Sequence, residues 1–197
     1  MKNKLGPKLS LYPMPIVLVG TMVNGKPNYI TIAHVGLIGL TSVSLSMSKL
    51  HYTNAGIKET EAFSVNIPSE SLVRETDYCG LVSGKDVDKA RLFETFYGEL
   101  KTAPMIKECP VNMECQLVQT IDFPKIELFV GKVLQTYCSE EYMAEGIIDF
   151  GKVKPILFVN SDKSYRCLGK KFAEAWNIGK EIRQDIVVET SKITNVS

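Results

Sequence analysis

Residues 42–48 read Ser-Val-Ser-Leu-Ser-Met-Ser, a strict alternation of hydroxyl and apolar side chains. Successive side chains of a β-strand point to opposite faces, whereas a helix would spread these apolar side chains around its axis. The alternation therefore predicts a half-buried strand in which Val43, Leu45 and Met47 face the core. A chain that contains such a strand must pair it within a sheet.

Strand-like segments recur along the chain. Residues 16–23 and 28–33 flank Asn24-Gly25-Lys26-Pro27, and an Asn-Gly step between such runs is a strong signal of a β-hairpin. Further strands are predicted at 62–67, 111–121, 127–138 and 156–159. The two long strands, which are separated by residues 122–125, are expected to be antiparallel neighbours.

Three short helices are predicted between the strands, each beginning at a polar side chain that accepts hydrogen bonds from backbone N–H groups. They are a helix capped by Thr53 or Asn54 and running to about Glu61, a helix capped by Ser69 and running through Cys79 to a left-handed Gly80, and a helix starting at Asp86. Regular βαβ units of about 30 residues are missing, which favours a mostly antiparallel barrel with peripheral helices. We therefore predict a mainly β fold in one domain, 1–197, with a core at about 10–180 and an arm or tail at 184–197.

Charge and hydropathy exclude two classes of partner. The 23 basic and 22 acidic residues give a formal charge of +1 without long blocks of one sign, so we expect no nucleic-acid binding. The most apolar stretches, 16–19 and 35–40, are far shorter than the roughly 20 residues of a membrane helix, so we expect no membrane span.

The N-terminus lacks the pattern of a secretory signal, and the five cysteines lack zinc-site spacing. Reduced thiols in a cytoplasmic protein are the expectation.

The densest polar group lies at residues 46–54, where the alternating strand ends and the first helix begins. The hydroxyls of Ser46, Ser48 and Thr53, the charge of Lys49 and the free N–H groups of a helix N-terminus suit a phosphate. The same residues equally suit a capped helix after a serine-rich exposed strand, so chemistry alone leaves both interpretations open. No Gly-x-Gly-x-x-Gly motif and no Walker-type lysine loop is present, so a nucleotide must be held in another way.

Five segments resemble, in the same order, those of flavin reductase-like proteins of the flavoredoxin type. They are Pro27-Asn28-Tyr29-Ile30-Thr31-Ile32-Ala33, residues 46–53, Ala62-Phe63-Ser64-Val65-Asn66-Ile67-Pro68, Ser83-Gly84-Lys85-Asp86-Val87-Asp88-Lys89, and a closing pattern of Tyr165, Leu168-Gly169 and Ala175-Trp176-Asn177-Ile178-Gly179-Lys180. Together they cover most of residues 10–180. The resemblance implies a split β-barrel that binds FMN, as a homodimer with each flavin at the subunit boundary.

The resemblance also implies a set of cofactor-binding residues and no catalytic acid or base. Thr31 and Ala33 would line the flavin ring, and backbone groups of Asn28, Ile30 and Ile32 would meet its polar edge. Ser46, Ser48, Lys49, Tyr52 and Thr53 would hold the ribityl phosphate, and His34, Met47, Lys85 and Tyr165 complete the predicted set. Relatives often carry Trp at the position of His34 and a basic residue at that of Ser48. These departures are expected to alter the cover of the ring and to weaken phosphate binding.

Several of these candidates have a purely structural alternative. His34 also suits a hydrogen-bonded, partly buried position, and residues 83–89 also suit a turn and a helix cap at Asp86. In the functional interpretation Lys85, Asp88 and Lys89 lie near the cofactor or the dimer seam. The remaining alternatives are core aromatic positions for Tyr165 and Trp176, and a buried, inert thiol for Cys79.

The implied function is an oxidoreductase that passes electrons from NAD(P)H or a redox protein through bound FMN to a small acceptor or carrier. One alternative is a non-enzymatic carrier whose FMN exchanges electrons with protein partners only. Another is a barrel that has lost its flavin and binds a different ligand, which the departures at His34 and Ser48 motivate.

Overall fold

The structure, a computed structural model, describes residues 1–180 and residue 182, so the predicted arm or tail at 184–197 lies outside the described residues. The strands are β1 (Met14–Pro15), β2 (Val17–Val23), β3 (Lys26–Ile32), β4 (Val35–Ile38), β5 (Ser42–Ser48), β6 (Ala62–Ile67), β7 (Thr95–Phe96), β8 (Met105–Ile106), β9 (Val111–Asp122), β10 (Ile126–Cys138), β11 (Met143–Ala144), β12 (Ile147–Ile148), β13 (Ile156–Val159) and β14 (Ser164–Cys167). The helices are α1 (Thr53–Thr60), α2 (Val73–Leu81) and α3 (Phe150–Val153), with 3-10 turns at Glu70–Leu72, Lys89–Leu92 and Glu140–Tyr142. Within the described ranges, none of these helices has the length and apolar character needed to cross a membrane.

Strands β2 and β3 form the predicted hairpin. They pair from Val17 opposite Ile32 to Val23 opposite Lys26, and the two turn residues Asn24 and Gly25 have φ values of 50° and 73°. Asn and Gly tolerate this left-handed backbone better than other residues, which is why the turn forms at this step. The prediction is confirmed.

Seven strands form one antiparallel sheet in the order β3, β2, β6, β9, β10, β5, β4. Its two edge strands, β3 and β4, are consecutive in the chain and are joined only by Ala33 and His34. A link this short spans roughly 10 Å at most, so the sheet must curl until its two edges approach each other. The predicted split β-barrel with peripheral helices is confirmed.

The barrel interior is filled by the alternating side chains of its strands. Val43, Leu45 and Met47 of β5 are buried, while the serines between them are half-buried on the other face. They join Phe63 of β6 and Phe129 of β10 in one core cluster. Burial of each such side chain stabilises the fold by about 1.5–3 kcal/mol, so the alternation that predicted β5 also builds the core.

The long strands β9 and β10 are antiparallel neighbours, as predicted. Their register shifts between Val130 and Gly131 and again between Val133 and Gln135. Such β-bulges bend a strand pair and increase its twist. The two longest strands therefore supply curvature for the barrel.

Helix α1 forms where predicted, but neither Thr53 nor Asn54 caps it. Tyr52 precedes the helix and makes no capping hydrogen bond. Thr53 Oγ1 instead accepts from Asn28 Nδ2, and Asn54 Nδ2 donates to Glu127. Both side chains form hydrogen bonds with residues distant in the sequence. The first backbone N–H groups of α1 therefore have no side-chain cap.

Helix α2 differs from the prediction at both ends. It follows a 3-10 turn, and the Ser69 hydroxyl bonds that of Ser71 instead of capping. Gly80 is not a left-handed stop, since α2 continues to Leu81. A Cβ at position 80 would lie 3.4 Å from Thr31 Cβ, an ordinary van der Waals contact, so α2 packs against β3 at this position.

The third predicted helix starts later than Asp86. Residues 83–87 form a turn in which Ser83 O accepts from the N–H groups of Asp86 and Val87. The 3-10 turn begins at Lys89, and Asp88 Oδ1 caps it by accepting from Ala90 N at 3.3 Å. The aspartate that caps is therefore Asp88, and the Asp86 prediction was wrong.

A second, smaller sheet has the order β1, β13, β14. Strand β13 was predicted at these residues, whereas β14 was not, because its mostly exposed Ser164–Cys167 segment has no buried alternation. All five cysteine thiols are free.

Candidate functional site

A cleft separates β3 from the segment 80–89, and it has two adjoining compartments. The first, called the lysine compartment, has a volume of about 330 Å³ and is lined by Val23, Asn24, Lys26, Pro27, Asn28, Tyr52 and residues 84–89. The second, called the histidine compartment, has a volume of about 200 Å³ and is lined by Ile30, Thr31, residues 50–53, residues 80–84 and Lys89. Tyr52, Gly84 and Lys89 line both compartments.

The topology brings two distant parts of the sequence to this cleft. Strand β3 is an edge of the seven-stranded sheet, so one side of its backbone faces the cleft instead of another strand. The N-terminus of α1 lies beside it, where Asn28 Nδ2 donates to Thr53 Oγ1 at 2.8 Å inside the protein. On the other side Thr31 Oγ1 donates to the Thr76 carbonyl of α2. The edge of β3 is thereby fixed between two helices.

Gly84 marks the boundary of the two compartments. A Cβ at this position would lie 2.8 Å from Asn28 Cγ, closer still to Asn28 Oδ1, and 3.2 Å from Tyr52 Cδ1. Only glycine lets the turn at 83–87 approach β3 so closely without displacing its neighbours. The shape of the cleft therefore depends on one missing methyl group.

Lys89 is a buried cation without an acidic partner in the described part of the chain. Its side chain is 2% exposed, and its Nζ donates to the carbonyls of Cys79 and Val82, both at 3.1 Å. Burial lowers its pKa, a shift that the nearby Cys79 thiol only partly opposes. Buried charges are normally paired, so Lys89 leaves an unbalanced positive charge at the wall of both compartments.

His51 lines the histidine compartment and is half-buried. Its Nδ1 is buried and has no hydrogen-bond partner among the described residues. Burial lowers its pKa, and the positive charge of Lys89 lowers it further. Both effects favour the neutral form of the imidazole.

Six of the predicted cofactor-binding residues line the cleft. They come from β3, from the start of α1 and from the turn before Lys89, and they are Asn28, Ile30, whose side chain also packs in the core, Thr31, Tyr52, Thr53 and Lys85. Ile32 and Met47 instead contribute their side chains to the barrel core. Ala33 and His34 form the link between β3 and β4, at the end of the edge strand and outside both compartments.

Ser46, Ser48 and Lys49 do not line either compartment. Lys49 Nζ forms an ion pair with Asp122 at 2.6 Å, at the far end of β9. Ser48 Oγ accepts from Leu50 N at 3.3 Å, and Ser46 is half-buried on the outer face of β5. Their polar groups already have local partners or face away from the cleft.

Tyr165 lies apart from the other predicted residues. Its hydroxyl donates to Asp77 of α2 at 2.6 Å, and burial together with this carboxylate raises its pKa to about 12. It lines a separate cavity of about 230 Å³ with Glu70, Val73 and Cys167.

Trp176 is almost fully exposed, and Cys79 is buried with its pKa raised to about 11, mainly by desolvation. Cys79 thus has the environment of an inert thiol, and Trp176 is not a core aromatic residue.

His51, Gly84 and Lys89 shape the cleft but are not among the predicted cofactor-binding residues. Gly84 and Lys89 lie in a segment that the resemblance had singled out, and His51 lies inside the polar run 46–54. Residue type and spacing were enough to single out the segments 46–54 and 83–89 as candidates. The burial of Lys89 and the orphaned Nδ1 of His51 depend on packing, which no local pattern carries.

The cleft suits a planar or extended ligand that carries negative charge. It offers an uncompensated lysine, an unpaired backbone edge and several hydroxyl and amide groups. The lysine compartment, at about 330 Å³, falls in the range of small-molecule sites, about 300–1,000 Å³, and the histidine compartment adjoins it. Among the described residues no group of three or more His, Cys, Asp or Glu side chains is arranged to hold a metal.

Comparisons with known proteins agree with this architecture. Residues 9–165 match the family described as the flavin reductase like domain. Flavoredoxin from Methanosarcina acetivorans is 43% identical and superimposes with a TM-score of 0.90 over 92% of this chain and 99% of its own. Flavoredoxin of Desulfovibrio vulgaris (Miyazaki F) is 33% identical, with a TM-score of 0.85 over 91% of this chain and 100% of its own.

A more distant structure shares the fold alone. An FMN-binding protein from Thermus thermophilus, solved with bound 1-cyclohex-2-enone, is 21% identical with a TM-score of 0.73. The match covers 88% of this chain and 97% of that one.

Proposed function

This chain belongs to the flavin reductase-like domain family, and from that premise we propose that it binds FMN and acts as an oxidoreductase of the flavoredoxin type. It would pass electrons from NAD(P)H or a redox protein through the flavin to a small acceptor or carrier. The observation that carries this proposal is the cleft beside the free edge of β3, with the buried and unbalanced charge of Lys89 in its wall.

The residues of the cleft fit FMN in charge and in shape. The two-residue turn makes Val23 and Lys26 a hydrogen-bonded pair, so the backbone groups of Asn28, Ile30 and Ile32 bond to β2, contrary to the prediction that they meet the ligand. The alternate residues Tyr29 and Thr31 present their backbone groups at the free edge of β3. Backbone N–H and C=O groups in a row match the donors and acceptors of a flavin's pyrimidine edge. Thr31 lies at the same edge and would contact the ring.

The anionic tail of FMN requires positive charge and donors. Of the predicted phosphate ligands, Tyr52 and Thr53 lie in the cleft, beside the uncapped N-terminus of α1. Helix N-termini favour anions. Lys49 pairs with Asp122 and lines neither compartment, so we assign the main positive charge at the cleft to Lys89 and Lys85.

A flavin-binding cleft needs side chains that bind and orient the cofactor, and it does not need a catalytic triad. When bound, FMN supplies the redox chemistry, since its ring accepts a hydride or single electrons by itself. The side chains of the cleft bind and orient it. The fixed charge of Lys89 favours negative charge nearby, because a buried lysine has little water to screen it.

Purified protein is expected to be yellow, or to become so on titration with FMN, with quenching of flavin fluorescence at one FMN per chain. Rapid mixing with NADH and with NADPH then separates the two flavin-dependent functions. Bleaching of the flavin absorbance by either nucleotide supports the enzyme. A flavin that binds but resists both nucleotides supports the electron carrier, and a colourless protein without FMN affinity would leave only a barrel with another ligand.

We also propose that the protein is a homodimer. Strand β4 is the second edge of the sheet, and Leu37 and Leu40 at its end are 84% and 103% exposed. Contiguous exposed apolar side chains mark interaction sites. Because β4 follows β3 after two residues, a partner docked there would lie beside the cleft.

The double substitution Leu37→Lys and Leu40→Lys is expected to convert the dimer to a monomer, since charges at an apolar contact are costly to bury. Sedimentation equilibrium would measure the mass. Ile147→Lys is the matched control, because Ile147 on β12 is also exposed, at 72%, but lies outside this patch. A wild-type protein of monomer mass would contradict the proposed dimer.

A further inference from the structure

A second cavity lies at the end of the sheet where β9 begins and β10 ends. Its volume of about 350 Å³ exceeds that of either compartment of the cleft, and it shares no lining residue with them. Its walls are mainly apolar and come from β7, β9, β10 and the segments beside them. A cavity of this size and character is typical of a site for a small molecule.

Two aromatic side chains form a corner of this cavity. The rings of Phe96 and Tyr137 are perpendicular, with an interplanar angle of 90° and centroids 6.0 Å apart. Aromatic pairs prefer edge-to-face and offset-stacked arrangements. Because both rings line the cavity, a planar aromatic ligand placed there gains such contacts with each of them.

The Tyr137 ring is held in place by a buried carboxylate. Its hydroxyl donates to Glu114 Oε1 at 2.8 Å. Glu114 is fully buried and also accepts from the N–H groups of Glu99 and Leu100, at 3.3 and 3.0 Å. Burial and this carboxylate raise the pKa of Tyr137 to about 12, so the hydroxyl stays a donor to Glu114 and the ring is what the cavity offers. A wall fixed in this way loses little side-chain freedom when a ligand binds.

Asn112 supplies a hydrogen-bond acceptor in the wall of the cavity. Its side chain is 4% exposed, and its Nδ2 donates to Asn66 Oδ1 and to the Ile106 carbonyl, both at 2.8 Å. Both amide hydrogens are thereby used, which also fixes the orientation of the amide. Its Oδ1 accepts no hydrogen bond from a described residue, and Asn112 lines the cavity. A ligand with an N–H or O–H group would supply the missing donor.

The other polar groups of the wall leave the cavity without net charge. Lys107 Nζ and Glu94 Oε1 form an ion pair at 2.6 Å, and both side chains are more than half exposed, so the two charges cancel at the mouth of the cavity. The thiol of Cys138 donates to the Ser139 carbonyl at 3.5 Å, and burial raises its pKa, so it stays neutral. An uncharged ligand is therefore favoured, in contrast to the cleft with its unbalanced lysine.

We infer that this cavity is a second ligand site, which takes an uncharged planar aromatic molecule that carries one N–H or O–H donor. The ring of the ligand packs against Phe96 and Tyr137, and its donor bonds to Asn112 Oδ1. The inference goes beyond the proposed function and does not depend on it, because the cavity and the cleft have no lining residue in common.

Indole is the probe, since it is a planar aromatic molecule with one N–H group, and 1-methylindole is its matched control without the donor. The protein is saturated with FMN, or used as purified if it binds no flavin, and is titrated in a calorimeter. We expect one indole per chain with a dissociation constant of about 1 mM or below. 1-Methylindole should bind about five- to tenfold more weakly, the effect of one lost hydrogen bond. Equal binding of the two probes would refute the assignment of Asn112 as the acceptor, and with it the inference.

Two substitutions test the location of the site. Ser139→Trp should weaken indole binding at least tenfold, because Ser139 lines the cavity and is exposed, so a large side chain there fills the cavity without removing an interior hydrogen bond. Phe96→Leu removes one ring of the wall and should weaken binding about three- to tenfold. Ser161→Trp is the matched control, since Ser161 is exposed in the turn between β13 and β14, and it should bind like wild type. Thermal unfolding verifies that each variant is folded.

Trp176 is itself a planar N–H donor, and it is 95% exposed, so the variant Trp176→Ala tests whether a second copy of the chain occupies the cavity instead. Indole binding of equal strength in wild type and Trp176→Ala supports a site for a small molecule. Binding that appears only in Trp176→Ala would overturn the inference, and so would wild-type binding that Ser139→Trp and Phe96→Leu leave unchanged.

Discussion

The variant Gly84→Ala is expected to lose most of its FMN affinity while it keeps its fold. The added methyl group would lie 2.8 Å from Asn28 Cγ and even closer to Asn28 Oδ1. Asn28 is unable to swing away, because it is buried and its amide is held by Thr53. The turn at 83–87 must therefore move off β3, which opens the boundary between the two compartments.

We expect a fall in FMN affinity of about 30-fold or more, equivalent to about 2 kcal/mol, measured by fluorescence titration of the apoprotein. The free energy of unfolding should change by less than about 1 kcal/mol, because the turn lies at the surface. Gly169→Ala is the matched control, since a Cβ at position 169 meets no atom within 4 Å. Unchanged FMN binding by Gly84→Ala would place the ligand somewhere other than this cleft.

The elements that sequence predicted correctly are those whose signals are local. The alternation at 42–48 fixes which side chains of β5 are buried, because a strand with this pattern has only one apolar face. The Asn24-Gly25 turn requires two left-handed residues, and few other pairs adopt that backbone. In both cases a few adjacent residues carry the whole physical cause.

The helix ends were predicted less well because their polar side chains have partners from distant strands. Thr53 and Asn54 look like caps, yet Asn28 and Glu127 engage them. Gly80 looks like a helix stop, but α2 continues past it to Leu81. Capping rules describe an isolated helix end, and these ends are built into tertiary contacts.

The candidate site, too, was predicted where the sequence signal is local and missed where it depends on distant contacts. Sequence resemblance located the strand edge and the start of α1, and the fold brings these segments together at one cleft. It could not foresee that Asp122 pairs with Lys49, since they are 73 positions apart in the chain and meet only at the ends of β5 and β9. Nor could it foresee that Lys89 is buried, because exposure is a property of the packed molecule.

The barrel and the cleft are mechanically linked through β3. The inward side chains of this strand, Ile30 and Ile32, pack in the core, while its free edge and Thr31 face the cleft. A strand held by the core loses little additional freedom when a ligand binds to its edge. Core packing of Ile30 and Ile32 therefore supports the site by holding the strand whose edge lines the cleft.

The variant Gly131→Ala is expected to destabilise the protein by about 1–3 kcal/mol, the usual cost of overpacking a core. Gly131 is buried at a β-bulge of β10, and a Cβ there would lie 2.6 Å from Phe63 Cε1 and closer still to Phe63 Cζ. Phe63 is fully buried in the barrel core, so it has no free space to enter. The φ of Gly131 is not positive, so the cost comes from contact with Phe63 and not from backbone strain.

Shortening Phe63 should therefore reverse the effect. In the background Phe63→Leu, which lacks the Cε and Cζ atoms, Gly131→Ala is expected to be neutral or to stabilise by up to about 1 kcal/mol, since Ala is better than Gly in a strand interior. Urea unfolding of the four proteins gives the coupling free energy, which should be about 2 kcal/mol. Additive effects would mean that Gly131 is required for the bulge itself. A coupling near the expected value would show instead that contact with the aromatic ring of Phe63 is the reason why only glycine fits at position 131. The β-bulge at this glycine helps to curve the sheet, and this curvature brings β3 and β4 together at the edge of the cleft.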